Sequence, residues 1–132
     1  MSYQLGVDIQ SVRDVEESIQ LFGSKYLQNV YNAHEYSYAL CHPYSAAKFL
    51  AGRFAAREAI LKLLNSHDTL SMWKDVILDD MHSPTRVNLR GDAQTLALSQ
   101  GIDKILLCIA STRDLATAVA VADVTSHQIS PN

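Results

Sequence analysis

The stretch Leu50–Leu64, LAGRFAAREAILKLL, reads as one helix that is apolar around most of its circumference. Within it Ala51, Ala55, Glu58 and Lys62 fall at i, i+4, i+7 and i+11 and share one face. A carboxylate is seldom fully buried unless it is paired or bound to a cation. The small alanines beside Glu58 are expected to leave room for something to approach it. Lys62, one turn away, can place a positive charge near a bound anion. The alternative is a surface Glu–Lys pair worth only about 0.3–0.5 kcal/mol. From the helix alone the surface pair is favoured, because such pairs are common and weak.

Around this helix the chain has 132 residues, enough for one domain and one core. We expect the domain to span 1–124 and to be followed by a tail, TSHQISPN, at 125–132. Apolar residues at 48% and charged residues at 19% place it in the ordinary globular class. No apolar run reaches the roughly 18 residues a membrane span needs. The start, MSYQLGVDIQ, lacks the basic segment and apolar core of a secretion signal. Cys41 and Cys108 are far apart and show no metal-ligand spacing, which fits a reducing cytoplasm. A net charge of −3 offers no bulk attraction to nucleic acid or to an anionic membrane, so neither is expected as a partner. Positive charge for an anionic ligand must be local, and the densest basic region is Lys48, Arg53, Arg57 and Lys62.

At the N-terminus Tyr3, Leu5, Val7 and Ile9 alternate with Gln4, Gly6, Asp8 and Gln10, which predicts a half-buried strand with Asp8 on its polar side. Ser11 is a candidate N-cap, with Asp14 at capping-box spacing. Val12, Val15, Ile19 and Phe22 then recur at helical spacing, and Gly23 is a helix stop. A short helix is expected over Ser24–Tyr31. Asn32 with Glu35 marks a second cap, opening a helix through Tyr36 and Leu40. Pro43 suits the first turn of the long helix. NSHDTLS is expected as loop. WKDVILDD and TRVNLR are expected as strands around a turn holding Ser83 and Pro84, and DAQTLALSQ as a helix closed by Gly101. KILLCIA and LATAVAVADV, joined by STRD, give an antiparallel hairpin signal. The order β-α-α-α-α-β-β-α-β-β makes an α+β fold, a small antiparallel sheet packed on one long helix and several short ones.

Asp8 alone has the reading of any solvated aspartate on a strand. If it met Glu58, the two carboxylates would repel unless a cation sat between them. Mg²⁺ with a phosphorylated ligand would suit such a pair, since Mg²⁺ takes one or two carboxylates with phosphate and water. Spacing leaves open whether the two meet.

Three blocks, LGVDI, RFAAREAILKLL and TRDLATAVAVA, in this order, resemble the holo-acyl-carrier-protein synthases, the small 4′-phosphopantetheinyl transferases. The resemblance runs from Leu5 to about Ala122 through WKDV, VNLRGDA and GIDKILLCIAS. It implies an enzyme that moves the phosphopantetheine arm of coenzyme A onto a serine of an apo acyl carrier protein, releasing adenosine 3′,5′-bisphosphate. It further implies that Asp8 and Glu58 bind Mg²⁺ and that Glu58 takes the serine proton, directly or through a metal-bound water. By the same resemblance Lys62 stands near the phosphates, while Arg53, Ser111 and Thr112 contact coenzyme A. Family members typically form trimers with the site between subunits.

The chain departs from the family pattern in three places. Ala110, Ser111 and Thr112 stand where Ser-His-Thr is frequent, which implies altered coenzyme A contacts. Asp14 replaces a frequent arginine in the first helix, and with Glu16 and Glu17 beside Arg13 it makes this helix acidic. Docking of an acidic carrier should then be weakened or retuned. Arg57 stands for the familiar lysine before the helix glutamate, keeping charge but not geometry. His34, His42, His67, His82 and His127 show no ligand pairing, Ser111 lacks a His–Asp partner signature, and Trp73 reads as core or interface. Two rivals stay open: a non-catalytic homologue that binds a carrier protein or partner subunit, and a Mg²⁺-dependent hydrolase of a nucleotide such as coenzyme A.

Overall fold

In the computed structural model, which describes residues 2–80 and 84–124, strand β1 (Ser2–Ser11) leads into α1 (Val12–Phe22), α2 (Ser24–Val30) and α3 (Ala33–Cys41). The long helix α4 (Ala46–Leu63) follows, then α5 (Thr69–Met72) and a 3₁₀ turn at Trp73–Asp75. Strands β2 (Val76–Asp79) and β3 (Arg86–Leu89), helix α6 (Gly91–Ser99) and strands β4 (Ile102–Ser111) and β5 (Leu115–Val124) complete the order. The fold is α+β, as the pattern predicts.

The helix boundaries follow their caps. Ser11 accepts a hydrogen bond from the Asp14 backbone N–H at 3.2 Å. Gly23 closes α1 at φ 56°, donating its N–H to the Ile19 carbonyl. Asn32 and Glu35 form the reciprocal capping box expected of them. Two expectations shift. Pro43 sits in a turn ahead of α4, which starts only at Ala46. Residues expected as loop and as early strand are helical instead, for one local reason and one distant one: Asp68 caps α5 by accepting from the Ser71 N–H, and the Trp73 indole donates to the Val30 carbonyl at 2.7 Å, 43 positions away. The expected turn at Ser83 and the expected tail at 125–132 lie outside the described residues.

Strands β1, β5 and β4 form one antiparallel sheet in the order β1-β5-β4, and β2 and β3 form a separate hairpin. Register aligns side chains into rows across the three-stranded sheet. On one face the rows are Gly6–Ala120–Leu107, Asp8–Ala118–Ile109 and Gln10–Ala116–Ser111. On the other they are Leu5–Val121–Leu106, Val7–Val119–Cys108 and Ile9–Thr117–Ala110.

Helix α4 lies on the first of these faces. Its Ala51, Ala55, Ala56 and Ala59 are fully buried, as are Ala116, Ala118 and Ala120 of β5. Small residues on both surfaces let helix and sheet approach closely. A Cβ at Gly6 would lie 1.8 Å from the Ala59 carbonyl oxygen, so this strand position takes glycine alone. The space beside the alanines, expected to admit a ligand, is therefore filled by the sheet. The half-buried strand is also inverted. Tyr3, Leu5, Val7 and Ile9 face outward, each at least half exposed, while the side of β1 bearing Asp8 and the glutamines faces α4. The polar side chains there have partners: Gln4 donates to the Leu63 carbonyl at 2.8 Å, and Gln100 donates to that of Leu64 at 2.6 Å, closing the C-terminal end of α4.

Candidate active site

Residues 54 apart in sequence meet at the edge of the α4–β1 contact. Lys62 Nζ lies 2.8 Å from Asp8 Oδ1 and donates to the Val7 carbonyl at 3.2 Å. The Asp8 side chain is largely buried and its second oxygen accepts from Gln10 Nε2 at 2.6 Å. The backbone carbonyl of Asp8 accepts from Thr117 Oγ1 at 3.0 Å, which ties this point of β1 to β5. Glu58 stands close enough to both charges to sense them. Its carboxyl is raised above the usual glutamate range, first by burial and then by the negative charge of Asp8, with Lys62 pulling it partly back.

Two carboxylates against one ammonium leave the cluster short of positive charge. Glu58 accepts no hydrogen bond among the described residues. Both facts fit a divalent cation between Asp8 and Glu58. No third His, Cys, Asp or Glu joins them among the described residues, so substrate and water oxygens would complete an octahedral Mg²⁺ shell. Glu58 also borders an apolar cavity of about 220 Å³ lined by Phe54, Leu70 and Trp73.

Arg53 does not join this trio. It lies five residues back along α4, on a different face, and lines a second cavity of about 330 Å³ with Lys48, Phe49, Tyr38 and Ser111. Tyr38 and Phe49 stack with ring centroids 3.9 Å apart, and the Arg53 guanidinium lies over the Phe49 ring at 4.6 Å. Aromatic faces beside Lys48 and Arg53 make a surface suited to a nucleotide. Ser111 belongs to the same cross-strand row as Gln10, the residue that holds Asp8, so cavity and carboxylates share one face of the sheet. Thr112 closes the β4–β5 turn: its N–H donates to the Leu115 carbonyl at 2.8 Å and its hydroxyl accepts from the Leu115 N–H at 3.2 Å.

Arg57 is turned away from the site. It is buried against Glu35, Nη1 to Oε1 2.9 Å, and its Nε donates to the Val76 carbonyl at 3.3 Å. Its charge holds α3 and β2 to α4. Tyr38, Phe49 and Thr85 line the Arg53 cavity and Asp80 pairs with Arg53, none of them legible as site residues in the sequence. They come from four separate places, α3, α4, the residue after β2 and the residue before β3, and no local spacing announces them.

Two part-buried carboxylates with a lysine, beside an aromatic and basic cavity, fit an enzyme site for a phosphorylated substrate. The chain belongs to the 4′-phosphopantetheinyl transferase superfamily, which matches residues 4–120. The holo-[acyl-carrier-protein] synthase of Chlamydia trachomatis serovar L2 is 31% identical over 124 residues, covering 92% of this chain and 99% of that protein. The holo-[acyl-carrier-protein] synthase of Clostridium kluyveri is 35% identical over 126 residues, covering 94% and 92%. The fold is shared with the ACPS–CoA complex of Chronobacterium ammoniagenes, at a TM-score of 0.79 and 24% identity, over 95% of this chain and 99% of that one.

Proposed function

We propose that this protein is a holo-acyl-carrier-protein synthase, moving the 4′-phosphopantetheine arm of coenzyme A to a serine of an apo acyl carrier protein. The observation that carries the reading is the meeting of Asp8, Glu58 and Lys62, with the proton affinity of Glu58 raised in place. Burial and the charge of Asp8 favour the proton on Glu58, the direction a general base needs. Glu58 takes the proton of the incoming serine. The serine oxygen bonds to the phosphorus that carries the pantetheine, the bond from that phosphorus to the bridging oxygen breaks, and adenosine 3′,5′-bisphosphate departs with the electron pair. Mg²⁺, held by Asp8 and Glu58, would neutralise charge on the pyrophosphate. Lys62 supplies a further cation for a phosphate oxygen. Arg53, Lys48 and Ser111 hold the nucleotide end of coenzyme A in the aromatic cavity, and Thr112 keeps the turn beside it in shape. Such transfers need little covalent help and depend on positioning and charge neutralisation.

Residues 1–124 act as one domain, assembled as a homotrimer in the cytoplasm. What supports the trimer is the outward sheet face, where Leu5, Val7, Ile9, Leu106 and Val119 lie side by side with large fractions of their surface in water. A contiguous apolar patch of this kind calls for a partner. The free, exposed Cys41 and Cys108 suit a reducing compartment.

Mass spectrometry of an apo carrier protein incubated with the enzyme, coenzyme A and Mg²⁺ tests the reading. The carrier should gain one phosphopantetheine, and only when all three are present. Consumption of coenzyme A without a carrier would make the protein a hydrolase, and an unmodified carrier across a panel of apo carriers would make it a binding protein.

A further inference from the structure

Asp80, immediately after β2, is placed where three other segments converge. Its Oδ2 forms an ion pair with Arg53 Nη2, with His34 Nε2 3.6 Å away. Its Oδ1 accepts from Thr85 Oγ1 at 2.9 Å. Burial alone would raise this carboxyl, but the hydrogen bond and charge of Arg53, with Thr85 and His34 behind them, outweigh burial and hold it below the usual aspartate range. Arg53 is itself almost wholly buried. A long side chain with four rotatable bonds is thereby held at one end by a carboxylate and underneath by the Phe49 ring. Its Nη1 is buried and has no hydrogen-bond partner among the described residues, while the residue lines the cavity that also holds Lys48 and Ser111. A guanidinium clamped through one nitrogen, with the other unpaired, is set to donate to an oxygen arriving in that cavity.

We infer that Asp80 is a positioning residue for coenzyme A binding: it fixes the Arg53 guanidinium so that Nη1 meets an anionic oxygen of the nucleotide, and through Thr85 it ties the start of β3 to that cation. The inference rests on the reading that Arg53 contacts coenzyme A. Asp80 reaches the substrate only through Arg53. Removing its charge should therefore weaken binding and leave the transfer step alone.

Steady-state kinetics on the full chain, with coenzyme A varied and Tm recorded for each variant, test this. Asp80→Asn should raise KM for coenzyme A about tenfold with kcat changed less than about twofold, the pattern of lost uniform binding. Asp80→Glu should restore most of the affinity. Arg53→Gln should raise KM as much, and Asp80→Asn should add nothing in that background. If Arg53→Gln raises KM and Asp80→Asn does not, or if the two effects add in full, the positioning role is overturned while the coenzyme A reading of Arg53 stands. If Arg53→Gln leaves KM unchanged, the reading of Arg53 fails and the inference with it. Should Asp80→Asn melt the fold, Thr85→Val is the milder variant. Its rise in KM should vanish in the Arg53→Gln background, and a rise that persists there overturns the inference.

Discussion

Lys62 Nζ on the long helix stands 2.8 Å from Asp8 Oδ1 on the first strand, so the cation paired with the strand carboxylate comes from a residue 54 positions away. This contact makes Lys62 a competitor for the same carboxylate that would hold Mg²⁺. Lys62→Met should raise the KM for coenzyme A by about tenfold, the worth of a charge-assisted phosphate contact. It should also tighten Mg²⁺ binding measured by calorimetry without coenzyme A. Weaker Mg²⁺ binding in the variant would show that the lysine supports the metal site instead of competing for it.

Glu58 exchanges stability for function. Its proton affinity is raised in the folded state, so its ionised form is disfavoured there relative to the unfolded chain. Glu58→Gln removes that burden and should raise the Tm at pH 7 in the absence of metal. The gain should disappear as pH falls through the raised value, because the wild-type carboxyl then takes up a proton in place. The same variant should lose on the order of a hundredfold in kcat, the usual contribution of a general base. Thermal scans across pH, beside turnover at pH 7, check both signs. A lower Tm for the variant at neutral pH would contradict the electrostatic account.

Gly6 is set by a backbone contact. An added methyl would overlap the Ala59 carbonyl at 1.8 Å, and neither helix nor strand can yield without moving the sheet. Gly6→Ala should cost about 3 kcal/mol or more, at the upper end of overpacking penalties. Urea denaturation would measure it. A loss below that of an ordinary surface substitution would mean the sheet slides on α4 more freely than the alanine contacts imply.

The outward sheet face gives a prediction of assembly. Leu5 is 63% exposed and sits in a row with Val121 and Leu106. Leu5→Lys should leave the protomer folded, since the side chain touches no core, and should dissociate the trimer. Sedimentation velocity at micromolar concentration should give a trimer for the wild type and a monomer for the variant. A monomeric wild type would remove the trimer from the proposed function.

The buried pair of Glu35 and Arg57 is structural. Glu35→Ala would leave the Arg57 charge buried without its carboxylate and should cost about 3–5 kcal/mol. A near-neutral result in a denaturant titration would show that the guanidinium finds water.

The long helix, the caps at Ser11, Gly23 and Asn32, the C-terminal hairpin and the chain order apart from α5 and the 3₁₀ turn were legible in the sequence, because each depends on residues within a few positions of one another. The same locality made Asp8, Glu58 and Lys62 visible as candidates only one at a time. Their meeting depends on β1 crossing α4 at Gly6, and that contact is decided by small residues from three segments, Gly6, Ala59 and the alanines of β5. Strand alternation announces two faces of β1 but carries no sign of which one turns inward. By hydrophobicity alone Leu5, Val7 and Ile9 should have gone inside. Packing decided otherwise: α4 presents a flat strip of alanines, and only a strand face with no bulk at its centre can lie close enough to bury that strip. The apolar side of β1 was left outward, and Asp8 was carried to the edge of the helix where Lys62 waits.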